Sequence, residues 1–85
     1  MPTIELKVTE KWTKRPIPNL VVTVNGEYLA RTDREGWVVL TLPIGTYMLC
    51  VEDGEVNYKK NCQTVNLISD MVINISMVPI FKSLS

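Results

Sequence analysis

The chain has 85 residues, 46% hydrophobic and 21% charged, with nine basic and nine acidic residues that cancel. That length fits one small domain with a modest core. Zero net charge gives no long-range pull toward nucleic acid or an anionic membrane, no apolar run approaches the roughly 20 residues of a membrane-spanning helix, and the opening MPTIELKVTE lacks the basic and apolar regions of a secretory signal.

In chain order the pattern is β throughout. Ile4, Leu6 and Val8 alternate with Glu5, Lys7 and Thr9, the period of a half-buried strand. EKWTKRPIPN follows as a polar, proline-rich loop that carries Trp12. Leu20, Val22 and Val24 form the next inward set, and Asn25-Gly26 is a strong hairpin signal because both residues tolerate positive φ. The return strand EYLART is expected to point Tyr28, Ala30 and Thr32 one way. Asp33 to Gly36 (DREG) reads as a second tight turn. In GWVVLTLPIGTY both alternations are apolar: Val38, Leu40 and Leu42 line one face, Trp37 and Val39 the other. Pro43 and Gly45 break that strand, and Tyr47, Leu49 and Val51 alternate next. After a turn at Asp53-Gly54, YKKNCQTVNL supplies Val65 and Leu67, and Ile73, Ile75 and Met77 close the series before Pro79. Seven short strands with regular turn signals and no helical period indicate an all-β fold, a single seven-stranded Greek-key-like β-sandwich. Residues 1–79 are expected to form the sandwich and residues 80–85 a C-terminal tail.

Little in the sequence carries chemistry. There is no histidine, and two cysteines cannot build a four-ligand zinc site. Cys50 and Cys62 are left either as a disulfide or as two free thiols, since spacing alone does not decide the geometry. Asp33, Glu35, Asp53 and Glu55 read as turn formers rather than as a dense oxygen-ligand loop for calcium. No cofactor is implied. The KWTKR stretch mixes basic residues with Trp12, but one short basic loop in a neutral chain is weak support for nucleic acid, and none is expected as a partner.

The segments RPIPNLVVTVNG, TDREGWVVLTLPIGTYMLCV and VINISMVP together resemble the carboxypeptidase regulatory-like, or transthyretin-like, domain. The matching pieces are Thr32, Asp33 and Gly36, then Leu42, Pro43, Gly45, Thr46 and Tyr47, then Met77 and Pro79, so the resemblance spans nearly the whole chain. It implies a transthyretin-like sandwich in which Asn25, Gly26, Asp33, Gly36, Pro43, Gly45 and Tyr47 make turns. The one enzyme it suggests is a transthyretin-like hydrolase, which uses histidines and a Tyr-Arg-Gly-Ser-type tail. This chain has no histidine and ends FKSLS, so it is expected not to be an enzyme. The related collagen-adhesin B-type domains cross-link a first-strand lysine to a last-strand asparagine. Lys7 and Asn74 occupy such strands here, but both are expected to face solvent.

The open question is what covers Trp37 and Val39. Met48 and Cys50 would be their neighbours if the two strands share a sheet. The covering group could be the tail with Ile80 and Phe81, another protein subunit, or a sugar or other ligand stacked on Trp37, with Trp12 as a second aromatic contact. Trp and Met are favoured at protein interfaces. The expected function is therefore a non-enzymatic structural or interaction module of a larger assembly, with Trp37, Val39 and Met48 as its apolar outer face. A virion surface or tail component, or a subunit of an extracellular structure, would suit such a module. The alternative is a ligand-binding accessory module for carbohydrate.

Overall fold

Alternating apolar residues produce seven strands: β1 (Thr3–Glu10), β2 (Val21–Val24), β3 (Glu27–Arg31), β4 (Trp37–Thr41), β5 (Gly45–Glu52), β6 (Asn61–Leu67) and β7 (Met71–Met77). The structure is a computed structural model and describes residues 1–80. One sheet has the order β4-β1-β7 and the other β3-β2-β5-β6. All neighbours are antiparallel except β1 and β7, which run parallel. Between the sheets lie Ile4, Leu6 and Val8 of β1, Val22 and Val24 of β2, Val38 and Leu40 of β4, Leu49 and Val51 of β5, Val65 and Leu67 of β6, and Ile73, Ile75 and Met77 of β7. The period-2 alternation thus places one face of each of these strands in a shared core.

The Thr-Asp-x-x-Gly stretch is explained residue by residue. Thr32 is buried, and its hydroxyl accepts from the Leu20 N–H at 2.9 Å while donating to the Ile17 carbonyl at 2.7 Å. It thereby clips the loop before β2 to the end of β3. Asp33 Oδ1 accepts from the N–H groups of Glu35 and Trp37, both at 2.9 Å. Gly36 has φ +77°, and a Cβ there would overlap the Val8 carbonyl oxygen and crowd Ile17 N at 3.3 Å. Asn25 and Gly26, with φ of 51° and 84°, form the tight β2–β3 hairpin. Tyr47 leans on the core and donates its hydroxyl to the Pro43 carbonyl at 2.5 Å, holding the crossing between sheets.

One local expectation is corrected. Tyr28 and Ala30 do not share a face. The register shifts between Val22 and Thr23, so Ala30 pairs with inward Val22 while Tyr28 pairs with outward Thr23. A bulge inserts one residue, and one residue is enough to invert the side-chain direction. Of the expected tail, only Ile80 lies within the described residues. Ile80 is half-buried and donates its N–H to the Asn57 carbonyl at 2.9 Å, beside a bridge between Tyr58 and Pro79. Phe81 and the residues after it lie outside the described residues.

Replacing Thr32 by valine keeps the volume and removes both hydroxyl bonds. The buried Leu20 N–H and Ile17 carbonyl each lose a partner, so Thr32→Val is expected to cost about 1–3 kcal/mol in urea unfolding. An unchanged midpoint would show that the clip carries no stability.

Candidate interaction surfaces

The outer face of the β4-β1-β7 sheet is built in rows. The register puts Val39, Glu5 and Val72 side by side, then Trp37, Lys7 and Asn74, with Thr41 and Thr3 at one end. Val39 is 62% exposed and Val72 59%. Trp37 is half-buried, and the Lys7 ammonium lies 5.0 Å from its ring centroid while donating to the Glu35 carbonyl. The lysine thus covers part of the indole by a cation–π contact and leaves the valines uncovered. Lys7 and Asn74 are direct register partners on this outer face.

Met48 does not belong to that cluster, which corrects the expected grouping with Trp37 and Val39. Periodicity assigns faces but not sheet partners. Beside β4 stands β1, and the chain crosses to the other sheet between Leu42 and Gly45, so Met48 and Cys50 lie on the opposite outer face. There Met48, 45% exposed, has its N–H held by Asn25 Oδ1 at 2.9 Å. The adjacent row runs Tyr28, Thr23, Cys50 and Cys62. Cys50 and Cys62 form a disulfide between paired strands, with Cα atoms 4.1 Å apart. Such close approach belongs to the non-hydrogen-bonded pairs of an antiparallel ladder. Closing a loop of this size contributes about 3 kcal/mol in the chain-entropy account.

A third surface lies at one end of the sandwich, where an open groove of about 550 Å³ is lined by Trp12, Pro16, Ile17, Pro18, Tyr58 and Pro79 among others. Lys11 Nζ sits 5.8 Å from the Trp12 ring centroid. Trp12 is positioned by Glu10, the last inward residue of β1. The Glu10 carboxylate accepts from the Trp12 N–H at 3.1 Å and the Thr13 N–H at 2.6 Å. Bonds from Thr13, then from Trp12, together with the nearby Lys14 charge, hold its pKa below the ordinary carboxylate value of 4.5, against a smaller opposing effect of burial. Sequence patterning misses this residue because an acid at an inward position looks like the start of a loop. The signal is its parity with Ile4, Leu6 and Val8.

Among the described residues no group of three or more His, Cys, Asp or Glu is placed to hold a metal ion. Two of the acidic turns have structural employment. Asp53 accepts from Glu55 and Asn57 N–H at 2.9 and 3.0 Å, as Asp33 does in its own turn.

This fold is transthyretin-like. The chain is similar to the structure of 5-hydroxyisourate hydrolase from Klebsiella pneumoniae, with a TM-score of 0.72 and 21% identity, over 93% of this chain and 91% of that one. It is also similar to the C-terminal domain of the Caf1A usher, with a TM-score of 0.61 and 17% identity, over 91% of this chain and 97% of that one. In that protein conserved hydrophobic clusters on the domain surface are important for F1 antigen assembly. No protein-family model and no curated protein matches the chain. The hydrolase corrects the expectation that the chain is not an enzyme. The same fold carries an enzyme, so lack of the expected residues is no ground for excluding activity. At these identities the likenesses show the fold alone.

The Glu10 environment sets a pH dependence. Because its pKa is depressed in the folded chain, its contribution is complete above about pH 4.5 and is lost as pH falls through the lower folded value. Glu10→Gln is expected to lower the melting temperature at pH 7 and to flatten the acid limb of a stability-versus-pH curve. Parallel curves for the two proteins would show that the carboxylate does not hold the loop.

Proposed function

We infer that the chain is a docking module of a larger protein assembly, and that it docks through the outer face of the β4-β1-β7 sheet. The observation that carries this is the pair Val39 and Val72, both more than half exposed on either side of Glu5 and next to Trp37. Apolar clusters of this kind on a small domain mark interaction sites. The zero net charge opposes no partner at long range. The surface clusters described for the usher domain support the same use of this fold. The Cys50–Cys62 disulfide supports an oxidising setting, which suits a virion surface or an extracellular structure.

A second reading rests on the groove at the sandwich end, where Trp12 and Tyr58 line a space large enough for a sugar. It makes the chain a carbohydrate-binding accessory module.

The test is gel filtration of an extract of the native host. The wild-type chain is expected to elute at a mass well above twice its own. Val39→Lys, whose new ammonium has Glu5 beside it, is expected to leave that species while the purified variant keeps the wild-type melting temperature. Elution of the wild type at its own mass would overturn docking. A glycan-array signal lost in Trp12→Ala and unaffected by Val39→Lys would favour the carbohydrate reading.

A further inference from the structure

Docking through the outer face of the β4-β1-β7 sheet has a consequence for charge. The outward positions of its three strands carry just two charged residues, Glu5 and Lys7, both on β1. Lys7 is already engaged, because its ammonium lies over the Trp37 ring and donates to the Glu35 carbonyl. Glu5 is not. It stands exposed between Val39 and Val72, and among the described residues its carboxylate has neither an ion pair nor a hydrogen bond. Any partner that covers the two valines also takes Glu5 out of water. A carboxylate left unpaired in a dry interface is strongly disfavoured. The partner must therefore bring a cation to that point.

The surface beside Glu5 narrows the kind of cation. A hollow of about 260 Å³ opens there, lined by Thr3, Glu5, Asp70, Met71 and Val72. Asp70 Oδ1 accepts from Thr3 N–H at 2.8 Å, and its second oxygen is open. The hollow thus offers acceptors from two carboxylates, with the apolar side chains of Met71 and Val72 beside them. A guanidinium donates from a planar fork to more than one acceptor, and its aliphatic stem packs on apolar surface. An ammonium is a compact point charge that is more strongly hydrated, so it gains less from leaving water. Among the described residues no third acidic group stands with these two to hold a metal ion. A second copy of the chain does not supply the match, because a two-fold axis at this row sets Glu5 against Glu5.

We propose that the partner is a different protein that presents an arginine between aliphatic side chains. The arginine enters the hollow and pairs with Glu5 and with the open oxygen of Asp70, while its aliphatic neighbours cover Val39 and Val72. This rests on the docking reading above and gives it a partner of stated chemistry.

The probe is a capped seven-residue peptide of threonines, with valine at its second and sixth positions and arginine at its fourth. In an extended chain those three side chains face one way. It is titrated into the isotopically labelled full chain and followed by amide NMR shifts. Saturable shifts are expected at Glu5, Val39, Asp70 and Val72. Glutamate in place of the peptide arginine is expected to abolish them, and lysine to weaken them. Glu5→Gln is expected to raise the Kd about tenfold, as for loss of one charge-assisted hydrogen bond. Glu27→Gln, on the other sheet, is expected to leave it unchanged. Absence of shifts at millimolar peptide, an equal response to the glutamate or lysine peptide, or wild-type binding by Glu5→Gln would each overturn the proposal. The docking reading fails separately, in the extract experiment. If Val39→Lys still leaves the large species there, the face docks a partner of other chemistry.

Discussion

The backbone contact between Gly36 and Val8 is the constraint on which the rest of the sandwich depends. At this point β1 changes partners. Up to Lys7 it pairs with β4, and Val8 N–H still reaches the Gly36 carbonyl at 2.8 Å. The Val8 carbonyl then accepts from Ile17 N–H at 3.1 Å, and Glu10 donates its N–H to the Arg15 carbonyl at 2.8 Å. The proline-rich loop takes the place of β4 along the last part of β1. Only a residue without a Cβ, in the left-handed region, fits where the two partners meet.

Both candidate surfaces follow from that handover. By starting β4 directly after Gly36, it fixes the register that brings Lys7 over Trp37 and Val39 beside Glu5. By leading the loop back along β1, it sets Glu10 beneath Trp12 and Thr13 and shapes the groove at the sandwich end. The core itself is ordinary alternation. What distinguishes the molecule is the treatment of its outer surfaces: a lysine laid over one indole and a disulfide across the opposite face.

The sequence was informative where local chemistry decides the outcome. Alternation placed the inward residues of β1, β4, β5 and β7 on the core face, and the Asn25-Gly26 and Asp33-to-Gly36 turns follow from what φ each residue tolerates. It was uninformative where the outcome depends on partners far along the chain. β4 and β5 are equally apolar, and nothing within either segment says that β1 will separate Trp37 from Met48. The bulge opposite Val22 and Thr23 has no local marker, yet it inverts Tyr28 against Ala30. The cysteine pairing rests on the β5–β6 register, which sets the two residues opposite each other. The resemblance to a transthyretin-like domain identified the fold, and its extension to activity failed because a fold houses sites without dictating them.

The most direct measurement compares denaturant unfolding of Gly36→Ala with that of Gly26→Ala. Both glycines have positive φ, +77° and +84°, so both substitutions carry the left-handed penalty of about 1–2 kcal/mol. Only Gly36 has backbone against it; around Gly26 nothing lies within 4 Å. The account predicts that Gly36→Ala loses at least about 2 kcal/mol more than Gly26→Ala, an amount in the range for overpacking a tight contact. Equal losses would mean that the strand handover at Val8 yields without cost, and that the architecture does not depend on it.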